Sequence, residues 1–188
     1  MKAKQLILLG ALCISILFPE VLIGQVQRHF VNPGFEQPNI TLPPFSSPTF
    51  IQTHMNNVPG WITSATDFKI ELWRSGFLGV PSHSGSQHAE LNATMPSRLS
   101  QSVCVLAGEN FNWSFWHRGR SGIDTCRIRI NGIDQGRFGT GTAAWKNYTG
   151  IYVVPTSGTA VFSFEAVFAA GGLSVGNFLD DVSLIPPL

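Results

Sequence analysis

Carboxylate, amide, imidazole, guanidinium and indole side chains recur at short spacing in three segments of the chain. The residues that could contact a ligand are Glu71, Trp73, Glu90, Asn92, His117, Arg118, Arg120 and Asp124. Planar groups of this kind hydrogen-bond neighbouring sugar hydroxyls in pairs, and an indole face packs against the C–H side of a sugar ring. If the three segments share one sheet, they predict a surface that binds carbohydrate.

The same residues also permit a purely structural interpretation. Arg118 or Arg120 could pair with Glu71, Glu90 or Asp124 and hold loops against the sheet. The sequence leaves both interpretations open, and one does not exclude the other.

The spacing of the ionisable residues gives little support for catalysis. The five histidines form no His-x-x-x-His pair, which argues against a catalytic zinc site. Glu71 and Glu90 are a candidate pair for glycoside hydrolysis, which uses two carboxyl groups on either side of the scissile bond. We predict a binding module without catalytic residues and keep a glycan hydrolase as the weaker alternative.

Two further carboxylates stand beside core aromatic residues near the two ends of the chain. Glu36 comes early and Asp180 comes late. Carboxylates that both face a core repel each other unless a positive group lies between them. Oxygen ligands in loops suit calcium, so the pair is a candidate structural calcium site. The alternative is that Glu36 caps backbone amides while Asp180 meets an arginine.

Short strands are the elements that must position these residues. Runs rich in Val, Ile, Phe, Trp and Thr are separated by Gly, Pro, Asn and Ser, and no convincing helical period is sustained. Strands are expected at 68–73, 88–93 and 111–117, and the Asn131-Gly132 pair predicts a two-residue hairpin. Roughly nine or ten strands in a chain of this length predict an all-β, antiparallel β-sandwich of the jelly-roll type.

Residues 1–24 are predicted to be a signal peptide. Lys2 and Lys4 precede an apolar run at 6–18, which is too short to cross a bilayer. Cleavage after Gly24 would release one domain, residues 25–188. We therefore expect a secreted or cell-surface protein with no membrane span in the mature chain, and an uncleaved anchor is the alternative.

The charge balance of this domain limits the classes of partner that it can bind. Without Lys2, Lys4 and Glu20 the chain keeps 10 basic and 10 acidic residues. Zero net charge argues against nucleic acid as a partner and against general attraction to anionic membranes.

Two cysteines remain in the predicted domain, Cys104 and Cys126. Export permits a disulfide between them, and we predict that bridge. Cys126 is expected to point toward the core with Ile128 and Ile130, so two buried free thiols are the alternative.

Three segments resemble the frame of galactose-binding-like β-sandwich domains. They are 32–36 (Asn-Pro-Gly-Phe-Glu), 58–61 (Val-Pro-Gly-Trp) and 179–184 (Leu-Asp-Asp-Val-Ser-Leu). That group includes carbohydrate-binding modules of the family 4/9 type and the plant cell-wall DUF642 domain. The resemblance implies a jelly roll without catalytic residues, and a structural calcium site at Glu36 and Asp180.

Three inner segments resemble an uncharacterised group of exported bacterial surface domains. They are 70–73 (Ile-Glu-Leu-Trp), 89–93 (Ala-Glu-Leu-Asn-Ala) and 117–120 (His-Arg-Gly-Arg). The expected function is non-catalytic binding of extracellular carbohydrate or a cell-surface glycan. The alternative is an adhesion domain that binds a surface protein, with the polar cluster purely structural.

Overall fold

The computed structural model describes residues 26–185, and strands make up most of its regular structure. The strands are β1 (Phe50–His54), β2 (Ile62–Thr63), β3 (Lys69–Arg74), β4 (Gln87–Glu90), β5 (Arg98–Val105), β6 (Asn110–Arg118), β7 (Asp124–Ile130), β8 (Ile133–Thr140), β9 (Lys146–Val153), β10 (Gly158–Phe168) and β11 (Phe178–Ile185). Single 3-10 turns occur at Met55–Asn57 and Phe77–Gly79. The predicted signal peptide lies outside the described residues. Within them, no helix has the length and apolar character needed to cross a bilayer.

The strands form two antiparallel sheets. One has six strands in the order β1-β3-β4-β11-β6-β9, and the other has five in the order β2-β5-β10-β7-β8. Strands that follow each other in sequence often lie in different sheets, as β4 and β5 do, and this crossing between layers is typical of a jelly roll. The predicted antiparallel β-sandwich is confirmed.

The core lies between the sheets and follows the alternation of each strand. In β6 the inward side chains are Phe111, Trp113, Phe115 and His117, while the residues between them face outward. The tight turn at Gly60 (φ 82°) delivers Trp61 to this core, where its ring stacks on Phe35 at 4.7 Å. A Cβ on Gly60 would lie 2.7 Å from the side chain of Val31, so the turn requires glycine.

The hairpin prediction is also confirmed. Asn131 and Gly132 join β7 to β8, and both residues have positive φ, at 51° and 79°. The β1 strand was not expected from the sequence. Its outer position in the sheet leaves three of its five residues exposed, so it lacks the apolar run of a central strand.

The predicted disulfide is wrong, because Cys126 is a buried free thiol. Cys104 pairs with Thr159 of β10, whereas Cys126 pairs with Ala166 on the opposite side of that strand. Seven residues along a strand span about 23 Å, far beyond the roughly 7 Å between Cα atoms that a disulfide tolerates. Burial raises the pKa of the Cys126 thiol, which keeps it protonated and unreactive.

Candidate functional site

The outward face of the six-stranded sheet brings the three candidate segments together. Glu71 of β3 lies directly opposite Glu90 of β4. Phe178 of β11 separates Glu90 from Arg118 of β6. The expectation that these segments share one sheet is therefore confirmed.

Most of the predicted ligand-binding residues on or near this face are buried. The buried ones are Glu71, Trp73, Glu90, Asn92, His117 and Asp124. Only Arg118 and Arg120, among the eight, remain half-buried. The covering groups come from three loops, 75–86, 119–123 and 141–145, through Phe77, Arg120 and Trp145.

Arg120 ties the second of these loops to the sheet. Its Nη1 donates to both carboxylate oxygens of Glu90 at 3.1 Å, and its guanidinium carbon lies 4.5 Å from the ring centroid of Trp73. The backbone amide of Arg120 donates to Asp124 at 2.8 Å. The loop is thus held by an ion pair, a cation–π contact and a backbone hydrogen bond.

The buried carboxylates are all hydrogen-bonded within the protein. Glu71 accepts from the indole of Trp73 and from Gln52, each at 2.6 Å. Asp124 accepts three backbone amides, including those of Ala170 at 2.7 Å and Asn177 at 3.1 Å. These contacts match the structural-network interpretation, because they fix loops 119–123 and 169–177 to the sheet.

His117 and Asn92 contribute to the same network from other positions. His117 faces inward, between the Thr140 hydroxyl at 2.9 Å and the side-chain amide oxygen of Asn177 at 3.0 Å. Burial lowers the pKa of His117 to about 4, so the ring is neutral at pH 7. Asn92 accepts from the Asn177 amide and donates to the carbonyl oxygen of Leu173. A ligand on the outward face would not touch either side chain.

Geometry gives no support to a glycosidase centre at Glu71 and Glu90. Hydrolysis needs the sugar between carboxyl groups that are about 5 to 9.5 Å apart. These two side chains stand side by side on neighbouring strands, and both are buried. Burial raises the pKa of Glu90, and the negative charge of Glu71 raises it further. This is expected for two carboxyl groups that lie close together in a buried environment.

The sequence also contains one match to a catalytic motif that the positions of the ionisable residues do not reveal. Residues 172–176 read Gly-Leu-Ser-Val-Gly, which fits the Gly-x-Ser-x-Gly pattern of hydrolase nucleophiles. The segment lies in the loop between β10 and β11. A nucleophile elbow joins a strand to a helix, so this loop lacks the required context and the match carries no catalytic meaning.

The two candidate calcium ligands hold opposite sides of loop 82–87. Glu36 accepts from the amides of Ser86 at 3.0 Å and Gln87 at 3.2 Å. Asp180 accepts from the amides of His83 at 2.9 Å and Ser84 at 3.3 Å. The described residues hold no group of three or more His, Cys, Asp or Glu side chains placed to bind a metal. This donor set fits amide hydrogen bonding and does not by itself supply the oxygen cage that calcium prefers.

The other half of the outward face is open. Five polar side chains on β6, β9 and β11 form what we call the polar strip: Asn112, Ser114, Asn147, Thr149 and Ser183. None of their side-chain polar atoms is hydrogen-bonded to another of the described residues. Four of them, all except Ser183, line a shallow depression of about 430 Å³, which Ile151 and Ile185 also line. Here the polar groups stay available to a ligand, in contrast to those over β3 and β4.

Aromatic and charged side chains end the polar strip. Trp116 continues the row of β6 and is half-buried, with the His83 ring stacked on it at 3.6 Å and 16°. Asp181 accepts a hydrogen bond from His83 Nδ1, which fixes this ring. Arg118 follows two residues after Trp116, on the same face.

Sequence reasoning missed the polar strip, although a signal for it was present. Residues 111–118 alternate strictly, so Asn112, Ser114, Trp116 and Arg118 share one face and the residues between them share the other. The sequence prediction grouped His117 and Arg118 together at the end of the strand. The two-residue alternation of the whole strand places them on opposite faces and predicts this row.

No protein-family model and no curated protein sequence matches the chain. Solved structures of carbohydrate-binding modules do match it. The structure of TmCBM61 in complex with β-1,4-galactotriose is 20% identical with a TM-score of 0.50, over 85% of this chain and 99% of that chain. A C-terminal family 22 module from Clostridium thermocellum is 13% identical with a TM-score of 0.49, over 72% and 91%. A family 4 module is 17% identical with a TM-score of 0.45, over 84% and 99%.

The match to TmCBM61 concerns the fold. The alignment covers 85% of this chain and nearly the whole of that module, so this part of the chain shares the β-sandwich fold of that structure. The predicted jelly-roll β-sandwich is thereby confirmed as a fold, and the ligand has to be argued from the site.

Proposed function

We propose that the protein is a non-catalytic module that binds an extracellular carbohydrate along the polar strip. The observation that carries this proposal is the contrast within one face of one sheet. Over β3 and β4 the carboxylates Glu71 and Glu90 are buried and paired, whereas Asn112, Ser114, Asn147, Thr149 and Ser183 are open and unpaired. Side chains that take no part in holding the fold are free to bind.

The chemistry of the polar strip suits a sugar chain. Amide and hydroxyl groups can both donate and accept, as sugar hydroxyls require. Asn112 and Arg118 are six residues apart on β6, a distance of about 20 Å along a strand. That length exceeds one sugar ring, so the ligand is an oligosaccharide segment. The galactotriose in the TmCBM61 structure supports a sugar ligand on this fold.

The proposed setting is outside the cell, as a secreted or surface-held protein. The predicted signal peptide, residues 1–24, supports export. Cell-wall or matrix polysaccharides are then the accessible ligands.

A glycan array with the purified protein tests the proposal. We expect selective retention of polysaccharides, and about tenfold weaker binding of the best ligand by Asn147→Ala, equivalent to about 1.4 kcal/mol. Asn56→Ala is the matched control, because Asn56 is exposed on a 3-10 turn far from the polar strip. A blank array from folded protein would reject carbohydrate and leave adhesion to a surface protein as the better hypothesis.

A further inference from the structure

One partly buried arginine has no acidic partner. Within residues 26–185, the half-buried arginines other than Arg118 all pair with carboxylates: Arg28 with Glu109, Arg120 with Glu90, and Arg127 and Arg129 with Glu165. Arg118 makes no ion pair and no side-chain hydrogen bond to any described residue. Its Nε atom is buried and unpaired.

An unpaired guanidinium in this place is costly. Removing a donor from water without giving it an acceptor is unfavourable, and more so when the group is charged. Burial lowers the pKa of Arg118, which reflects the same loss of solvation. An oxyanion placed against Arg118 would replace the hydrogen bonds to water that burial removes from its guanidinium group.

Within residues 26–185, no carboxylate on the outward face is free to serve as that oxyanion. Glu90 is held by Arg120 and by the amide of Gly176 at 2.6 Å. Glu71 is held by Trp73 and Gln52. An acidic partner for Arg118 therefore has to come from outside the described residues.

A second unpaired donor lies on the same face, beside Phe178. His88 is fully buried and packs edge-on to the Phe178 ring at 4.8 Å, while Arg118 is the register neighbour of Phe178 on β6. His88 Nδ1 is 3.0 Å from the Ser82 hydroxyl, and Nε2 has no partner among the described residues. When Ser82 donates to Nδ1, the neutral ring carries its hydrogen on Nε2 and offers it to an acceptor.

We propose that Arg118 binds the carboxylate of an acidic sugar, so that the ligand of this module is a polysaccharide containing uronic acid. This inference rests on the proposed function. The guanidinium fork of Arg118 matches a planar carboxylate in a way that it does not match a lone hydroxyl. The acidic unit lies at the Arg118 end, next to Trp116, and neutral units follow the polar strip toward Asn112.

The test uses matched pairs of glycans in equilibrium binding measurements on the purified protein. Each pair is an acidic polysaccharide, such as polygalacturonate, glucuronoxylan, alginate or hyaluronan, and its carboxyl-reduced neutral derivative. We expect at least one acidic member to bind tenfold or more tightly than its neutral partner. Arg118→Gln should abolish that preference and leave the melting temperature unchanged.

The control variant is Arg98→Gln, because Arg98 is exposed and lies on the other sheet. It should keep the full preference for the acidic member. Arg118→Lys should keep part of it, since the charge remains but the fork is lost.

The outcomes separate this inference from the proposed function. Equal binding of acidic and reduced members overturns the uronic-acid assignment and leaves carbohydrate binding in place. Binding only of sulfated glycans overturns the carboxylate assignment as well. No binding to any polysaccharide overturns both proposals.

Discussion

Arg120 lies over Trp73, with its guanidinium carbon 4.5 Å from the centre of the indole ring. Trp73 is also in contact with Phe50, Phe77 and Phe178, so this half of the outward face is packed like a second small core. Arg120 closes that core from the loop side while Glu90 neutralises its charge. Three residues predicted to hold a ligand, Arg120, Trp73 and Glu90, thereby contact one another instead.

Replacing Arg120 is expected to destabilise the protein strongly. Arg120→Ala removes the positive partner of Glu90, whose carboxylate is buried, and uncovers Trp73. Loss of one partner of a fully ionised buried pair typically costs about 3 to 5 kcal/mol. We expect about 2 to 3 kcal/mol, because Arg120 is partly exposed and because burial raises the pKa of Glu90 to about 8, so its carboxyl group can take up a proton when Arg120 is removed. Urea unfolding measures the change.

The control for this prediction is Arg98→Ala, an exposed arginine with no ion pair among the described residues. Its free energy of unfolding should stay within about 0.5 kcal/mol of the wild type. If Arg120→Ala changed the free energy of unfolding as little, the contacts of Arg120 with Trp73 and Glu90 would not stabilise the fold.

The fold could be predicted from local patterns because strands with two-residue alternation carry their own signal. The central strands β6, β7 and β10 alternate clearly, and the Asn131-Gly132 turn fixes one hairpin. β1 and β2 were missed because they are short and lie at the outer positions of their sheets. Such strands need few buried residues, so their composition resembles that of loops.

The candidate site could be predicted only in part, because burial on an outward face depends on loops. Alternation placed Glu71 and Trp73 correctly on the face that points away from the core. It gave no sign that Phe77, in the turn just after β3, would fold back over Trp73, or that Arg120 would reach Trp73 from a loop 47 residues further along the chain. Contacts of this kind depend on chain segments far apart in sequence, and strand periodicity carries no information about them.

Stability is expected to depend on pH through His117. Burial lowers its pKa from 6.5 to about 4, so the unfolded chain takes up a proton between these values while the folded protein does not. A lowered pKa contributes stability above pH 6.5 and loses it as the pH falls through 4. The slope is up to about 1.4 kcal/mol per pH unit.

The variant His117→Asn isolates this effect. The stability advantage of the wild type over the variant should shrink as the pH falls from 7.5 to 4.5, in urea unfolding at each pH. An advantage that stayed constant would mean that His117 titrates normally in the folded protein.

Gly150 is expected to tolerate no side chain. It lies on β9 under the Trp113 ring, and a Cβ there would stand 2.1 Å from Trp113 Cζ2. Gly150→Ala would push the indole out of the core at a cost of about 1 to 3 kcal/mol. Gly141→Ala is the control, since nothing lies within 4 Å of a Cβ at Gly141. Thermal unfolding of the two variants should differ by several degrees, and equal melting temperatures would contradict this packing.

Calcium binding by Glu36 and Asp180 stays a prediction, and chelation tests it. A cation held between them would have to draw carboxylate oxygens away from the amides of loop 82–87 and gain further ligands from backbone carbonyls.

If such a site forms, calcium at 100 times its dissociation constant stabilises the protein by about 2.7 kcal/mol. A chelator should then lower the melting temperature, and Asp180→Asn should remove the response. Asp134→Asn, at an exposed residue of β8, should keep it. An unchanged melting temperature in chelator would leave Glu36 as a cap of backbone amides, because its hydrogen bonds to Ser86 and Gln87 need no metal to explain them.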